Sequence, residues 1–182
     1  MISVVIPVMN RESELVAAIE SVQRQTDGDW ELLIVDDGST DDSLMVARGM
    51  QSTDSRIRSL VHPHRMNLGP GASRNLGVEA ARGEYVAFLD SDDVLERSAL
   101  ATFQSTFEKF PAAAAVYGKA RVSGIREDGS TVGFGIPDEP ADLFRQLVHN
   151  NVFATGSMAC RREVLDSHPF PSEMPSSQDW AC

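Results

Sequence analysis

The sequence predicts an α/β fold in which a mostly parallel central sheet is covered by helices on both faces. Short apolar segments alternate along the chain with longer amphipathic segments, the pattern of repeated strand and helix units. The apolar segments are hydrophobic almost throughout, which is typical of parallel strands buried on both sides. With 182 residues, 42% of them hydrophobic, we expect a single domain spanning residues 1–182.

Two strand–helix units are predicted first. The segment SVVIPV (3–8) is rich in β-branched residues and predicts a strand. The segment ESELVAAIESVQRQ (12–25) follows, and helical spacing puts four of its apolar residues on one face: Leu15, Ala18, Ile19 and Val22. A second strand, ELLIVDD (31–37), ends in two acids, and DDSLMVARGM (41–50) predicts a helix with acids near its positive end.

Further strands and a third helix are predicted beyond these units. RIRSLVH (56–62) predicts a strand, and GPGASRNLGVEAARG (69–83) a helix that begins at Gly-Pro and closes at Gly83. EYVAFLD (84–90) predicts the next strand, and PAAAAVYGKARVSG (111–124) a core strand.

Charge and composition exclude several classes of protein. The chain carries 16 basic and 27 acidic residues, a net charge of −11, which repels a nucleic-acid backbone. Its two cysteines are too few for a disulfide framework, which fits a reducing compartment. The N-terminus lacks the features of a signal peptide, and no apolar run approaches the length of a membrane span. We therefore expect a cytoplasmic protein, with association at the cytoplasmic face of a membrane left open.

Clustered aspartates follow two of the predicted strands. Parallel sheets keep their sites beyond the carboxyl ends of their strands, so both clusters are expected at one edge. Asp90 and Asp92, separated by Ser91, can offer oxygens to one hard divalent cation, Mn²⁺ or Mg²⁺. The alternative is that Asp92 and Asp93 cap a helix beginning near Glu96.

Five segments in order resemble the family 2 glycosyltransferases: SVVIPVMNRESELVAAIESVQRQT, ELLIVDDGSTDDS, NLGPGASRNLGVEAARGEYVAFLDSDD, TGSMACRREVL and SQDW. The resemblance runs from Ile2 to Trp180. It implies a GT-A fold, whose sheet is Rossmann-like, and an inverting enzyme that moves a sugar from a nucleotide-diphosphate sugar to an acceptor hydroxyl. A uridine donor and a glycan or lipid-linked acceptor of surface polysaccharide synthesis are the partners that it suggests.

The resemblance also implies roles for individual residues at the donor site. Pro7 and the loop through Asn10 shape the nucleotide pocket. Asp37 accepts a hydrogen bond from the base, a duty that Asp36 can share. The metal that bridges the donor phosphates is held by Asp90 and Asp92, with Ser91 between them in the donor site.

Three more residues are assigned by resemblance. Arg74 and Asn75 border the nucleotide, although Arg74 can instead tie its helix to Asp36 or Asp37. Arg74 also occupies the place of the third glycine in G-x-G-x-x-G, so that stretch is not a dinucleotide fingerprint. Asp179 is the candidate general base, and its alternative role is a helix N-cap.

The chain stops at Cys182, whereas the resembling family continues further. We therefore expect a domain truncated on its acceptor side. Two other functions stay open: a non-catalytic module that binds nucleotide sugars, and a magnesium-dependent phosphatase of the haloacid dehalogenase type. The phosphatase needs D-x-D after its first strand, where this sequence has PVMN.

Overall fold

A computed structural model describes residues 1–118 and 155–171 as one α/β sheet structure. Its strands are β1 (Ile2–Val8), β2 (Trp30–Asp36), β3 (Ile57–Val61), β4 (Tyr85–Phe88), β5 (Ala115–Tyr117) and β6 (Met158–Arg161). Its α-helices are α1 (Glu12–Gln23), α2 (Ser43–Thr53), α3 (Pro70–Ala80), α4 (Ala99–Lys109) and α5 (Arg162–Ser167). Short 3₁₀ turns cover Pro63–Arg65 and Thr155–Ser157.

The sheet has the strand order β3-β2-β1-β4-β6-β5. Strands β1 to β4 pair in parallel, while β6 runs antiparallel to both β4 and β5. The mostly parallel sheet predicted from the sequence is therefore confirmed.

Two apolar cores cover the two faces of the sheet, because successive side chains of a strand point to opposite sides. In β2, Leu32 and Ile34 belong to the core shared with α1, α2 and α4. Leu33 and Val35 belong to the other core, to which α3 and α5 contribute. All four side chains are fully buried, which explains why the strand lacks polar alternation. Within the described residues, no helix is both long and apolar enough to cross a bilayer.

Some predicted boundaries differ from the structure. Helix α3 ends at Ala80, so Gly83 does not close it. A Cβ at Gly83 would lie 2.7 Å from Ser3 Oγ, so the glycine instead permits close approach to β1. The strand expected over 111–124 is short in its described part, since β5 has three residues and only Val116 among them is buried.

The path of the chain creates a crevice beside β1. From β1 the chain moves outward through β2 to β3, and then returns to the other side of β1 to form β4. Such a reversal of strand order leaves a gap outside the carboxyl ends of the strands, where ligands bind in open α/β sheets. In this fold the gap lies beyond the ends of β1, β2 and β4.

Candidate functional site

A cleft of about 240 Å³ lies at this reversal point. The end of β1 supplies its apolar wall, and the residues after β2 and β4 supply carboxylates. The described residues that line it are Pro7, Val8, Met9, Arg11, Asp37, Pro70, Asp90, Ser91 and Asp92. The structure thus brings together five of the predicted site residues: Pro7, Asp37, Asp90, Ser91 and Asp92.

Hydrogen bonds connect the loop after β1 to the loop after β2. Asn10 adopts a left-handed conformation, with φ of 52°, and its Oδ1 accepts from the backbone N–H of Thr40 at 2.8 Å. In return, the hydroxyl oxygens of Ser39 and Ser43 accept from the backbone N–H groups of Asn10 and Arg11, at 3.1 and 3.0 Å. Asn10 therefore organises this side of the cleft, and its contact with a nucleotide stays a prediction.

Asp37 joins the end of β2 to the start of α3. Its side chain is buried, and its two oxygens accept from the backbone N–H groups of Leu68 and Gly69, at 2.7 Å for Leu68 and 3.0 Å for the shorter Gly69 bond. Behind it lies buried His62, whose Nε2 is 3.6 Å from Asp37 Oδ1 and 2.9 Å from Ser73 Oγ. These contacts fix the Asp37 carboxylate at the cleft wall.

The neighbouring acid, Asp36, is buried and is not among the described residues that line the cleft. It is 1% exposed, and its Oδ1 accepts from the N–H of Ser39 at 3.3 Å. Arg65 Nη2 lies 4.0 Å from Asp36 Oδ2 and donates to the Ser39 carbonyl at 2.9 Å. A Cβ at Gly38, where φ is 79°, would meet the Arg65 carbonyl at 2.9 Å, so this packing requires glycine. Of the two acids after β2, Asp37 is the one that lines the cleft.

The acids after β4 are held by arginines. Buried Arg74 of α3 donates from Nη2 to Asp90 Oδ1 at 3.0 Å. The expected salt bridge of Arg74 therefore exists, but its partner is Asp90 and not Asp36 or Asp37. At the mouth of the cleft, Arg11 Nη2 lies 3.5 Å from Asp92 Oδ2.

Asp93 is the third acid of this cluster, and it does not cap a helix. Helix α4 begins at Ala99, and its N-cap is Ser98, so the predicted capping by Asp92 or Asp93 is wrong. Asp93 instead lies where the 3₁₀ turn at 155–157 approaches, since a Cβ at Gly156 would be 3.6 Å from its Oδ2. Partial burial of the carboxyl group, together with the charges of Asp90 and Asp92, raises the pKa of Asp93 above its usual 3.8.

This cluster fits a cation that is shared with a phosphate ligand. Within residues 1–118 and 155–171, no group of three or more His, Cys, Asp or Glu residues is arranged to hold a metal ion. Mg²⁺, however, is usually bound by one or two carboxylates plus substrate phosphates. Asp90 and Asp92 line the cleft and are half-exposed, so their oxygens can serve in that way. The charges of Asp90 and Asp92 add to the effect of burial in raising the pKa of Asp93, and a cation would relieve that repulsion.

Asn75 is not among the described residues that line the cleft. Its Nδ2 donates to the Phe170 carbonyl at 2.8 Å, and its Oδ1 accepts from the Phe170 N–H at 2.9 Å. The Phe170 ring packs edge-on against Phe88 and under the Arg74 guanidinium, 5.6 Å from ring centre to Cζ. Asn75 thereby anchors the segment after α5, and its contact with a nucleotide stays a prediction.

Arg11 and His62 were not among the predicted site residues. Asp179 lies outside the described residues. Both overlooked residues follow a parallel strand closely, Arg11 after β1 and His62 directly after β3. The rule that predicted the aspartates, that residues just beyond parallel strands face the site, would also have selected these two basic side chains.

The fold and the cleft define an α/β protein with a cleft at a reversal of strand order, the place where open α/β sheets bind ligands, and the cleft is lined by carboxylates. A family model described as glycosyl transferase family 2 matches residues 3–168. The chain therefore belongs to glycosyl transferase family 2, as its motifs predicted.

Two curated relatives illustrate the range of the family. An uncharacterized glycosyltransferase of Rickettsia felis is 34% identical over 180 residues, covering 98% of this chain and 29% of that protein. A Campylobacter jejuni protein named GalNAc(5)-diNAcBac-PP-undecaprenol beta-1,3-glucosyltransferase is 40% identical over 101 residues, covering 56% of this chain and 32% of its own length. The chain thus spans about a third of the length of these relatives.

Solved structures share the fold. Staphylococcus aureus TarS 1-349, solved in complex with UDP-GlcNAc, has a TM-score of 0.75 at 24% identity, with 98% of this chain and 51% of that one covered. The mannosyltransferase PcManGT of Pyrobaculum calidifontis, solved with GDP-Man and Mn²⁺, has a TM-score of 0.69 at 20% identity, with 95% and 48% covered. These likenesses confirm the GT-A fold.

Proposed function

We propose that this domain binds a nucleotide-diphosphate sugar, with uridine as the base, and transfers the sugar to an acceptor hydroxyl with inversion. The observation that carries the proposal is the cleft at the reversal of strand order, which Asp37 lines on one side and Asp90, Ser91 and Asp92 line on the other. Asp37 is an acceptor suited to a ring N–H, and it stands beside the apolar wall formed by Pro7 to Met9. Membership of glycosyl transferase family 2 supports the reaction class.

The two carboxylates after β4 are proposed to hold Mn²⁺ or Mg²⁺ together with the donor's diphosphate. A cation there would neutralise the charge of the leaving nucleotide diphosphate. The complex of PcManGT with GDP-Man and Mn²⁺ supports this combination for the fold. Arg74, buried beneath Asp90, keeps that carboxylate at the cleft, while Asn75 secures the α3 side.

The acceptor is proposed to be a glycan or a lipid-linked glycan of the cell surface. The name of the Campylobacter relative specifies an undecaprenol-linked acceptor, which supports this class. On this proposal the protein acts in the cytoplasm, and reaches the membrane surface through its acceptor. Residues 1–182 would form a catalytic domain.

Asp179 is proposed as the general base that removes the proton from the attacking hydroxyl. The test is to supply UDP-sugars with Mn²⁺ and to follow the release of free UDP from wild type and Asp179→Asn. We expect slow hydrolysis in wild type and its loss in the variant, with Asp166→Asn as a control of equal charge change.

Two results would contradict this function. Nucleotide-sugar binding without any turnover by the wild type would favour a non-catalytic module. Hydrolysis of p-nitrophenyl phosphate that is lost in Asp90→Asn would favour the phosphatase. The position of D-x-D after β4, and not after β1, argues against that second outcome.

A further inference from the structure

Arg11 is the cationic side chain among the described residues that line the cleft. Its backbone is fixed on both sides: its N–H donates to Ser43 Oγ at 3.0 Å, and its carbonyl accepts from the N–H of Leu15 at 2.9 Å. Its guanidinium contacts two acids: Nη1 donates to Glu14 Oε1 at 3.1 Å, and Nη2 lies 3.5 Å from Asp92 Oδ2. The positively charged guanidinium of Arg11 therefore lies beside the acidic cluster.

The two arginine–aspartate pairs at this edge differ in how firmly they are held. The Arg74 side chain is 5% exposed and lies 3.0 Å from Asp90. The Arg11 and Asp92 side chains are 47% and 48% exposed, and their pair is longer. Exposed ion pairs contribute little to stability, so Asp92 can exchange Arg11 for a stronger partner at small cost.

We propose that Arg11 has two roles. In the empty cleft it neutralises Asp92, and once a divalent cation has replaced it as the partner of Asp92, it binds the diphosphate of the donor. This inference rests on the proposed function. When Asp92 turns to the cation, the guanidinium is released within the same cleft. Its planar fork of N–H donors suits two phosphate oxygens at once. Arg11 would thus contact Asp92 in the empty cleft and the diphosphate in the loaded cleft.

The two duties predict effects of opposite sign when the charge of Arg11 is removed. Without the guanidinium, Asp92 has no cation that competes with the metal, so the affinity for Mn²⁺ alone rises. The affinity for the nucleotide falls, because a charged contact to its phosphates is lost. A residue that only stabilised the loop after β1 would weaken both.

The test compares Arg11→Gln with Arg24→Gln by calorimetric titration. Arg24 is also exposed and lies at the other end of α1 in a pair with Glu20, so its variant removes the same charge away from the cleft. We expect Arg11→Gln to bind Mn²⁺ alone about threefold more tightly than wild type. At saturating Mn²⁺ it should bind UDP about tenfold more weakly, and Arg11→Lys should restore part of that affinity. Arg24→Gln should match wild type in both titrations.

Three results of these titrations would each overturn either a role of Arg11 or the proposed function. If wild type binds UDP with Mn²⁺ and Arg11→Gln binds it equally well, Arg11 is not a phosphate ligand. If Mn²⁺ affinity falls or stays unchanged in Arg11→Gln, it is not the counter-ion of Asp92. If wild type binds Mn²⁺ but no UDP, GDP or dTDP, the proposed function fails, while the Mn²⁺ titration still tests the pair. Circular dichroism of each variant establishes that it is folded.

Discussion

Asp93 is a carboxylate whose surroundings disfavour its charge. The residue is exposed overall, but its carboxyl group is partly shielded and faces the charges of Asp90 and Asp92, which raise its pKa above 3.8. Because the folded state holds this proton more tightly than the unfolded state, the free energy of unfolding falls as the pH rises through the interval between the two pKa values. At neutral pH the ionised side chain therefore lowers stability.

We predict that Asp93→Asn raises the urea concentration at the midpoint of unfolding at pH 7. The gain should shrink as the pH falls and vanish below about 3.8, where the wild-type side chain is protonated in both states. Saturating Mn²⁺ should reduce the gain at pH 7, because a cation relieves the same repulsion. The control is Asp166→Asn on α5. An equal gain in that control, or a gain in Asp93→Asn that persists at pH 3, would refute this explanation.

Some residues of the site could be predicted from the sequence, and others could not. The aspartates were found because acids follow two apolar strands, and residues beyond the carboxyl ends of parallel strands meet at one edge of the sheet. The salt bridge of Arg74 was predicted with Asp36 or Asp37, but its partner is Asp90. The sequence pattern places all these acids at one edge of the sheet, but it does not show which side of the crevice faces α3. Arg11 was missed because one arginine after a strand resembles any surface cation.

At the scale of elements, α3 packs against β1 through a glycine. A Cβ added at Gly77 would lie 2.9 Å from Val5 Cγ2 and still closer to Cγ1, and Val5 is fully buried. A Cβ added at Gly49 in α2, by contrast, would meet no atom within 4 Å beyond its chain neighbours and the backbone of its own helix. Alanine at Gly49 therefore changes helix propensity alone, whereas alanine at Gly77 also changes the packing of α3 against β1.

We predict opposite effects of alanine at these two glycines. Gly77→Ala should lower the free energy of unfolding by about 1–2 kcal/mol, since overpacking outweighs the gain in helix propensity. Gly49→Ala should raise it by about 0.5–1 kcal/mol. Urea denaturation measures both. Stabilisation by Gly77→Ala would mean that α3 does not lie this close to β1.

Element types were predictable from periodicity, whereas element ends were not. The strands β1 and β2 and the helix α1 were recognisable because continuous apolar runs and a helical stripe admit few other interpretations. Gly83 was taken as a helix end because glycine is common there, yet its role depends on its distance from Ser3. Such contacts between distant segments carry no signal in local sequence.

At the scale of the whole molecule, one sheet carries both cores. Leu32 and Leu33 are adjacent and fully buried, and they point into opposite cores. Loss of either side chain therefore weakens a different face of the same strand.

We predict that Leu32→Ala and Leu33→Ala each lower the free energy of unfolding by about 2–5 kcal/mol. In both variants, far-ultraviolet circular dichroism and tryptophan fluorescence should report a single coincident transition, because the sheet couples the two faces. Two separate transitions in either variant would show that the faces unfold independently, against the described architecture.

Calorimetric titration with UDP, GDP and dTDP shows whether the cleft beyond β1, β2 and β4 binds a nucleotide. Each nucleotide is titrated with Mn²⁺ and with EDTA, into wild type and Asp92→Ala. We predict binding of UDP that requires Mn²⁺ and is lost in Asp92→Ala. Binding of another base would correct the assignment of uridine alone. Failure of the folded wild type to bind any of the three nucleotides would show that the cleft is not a nucleotide site.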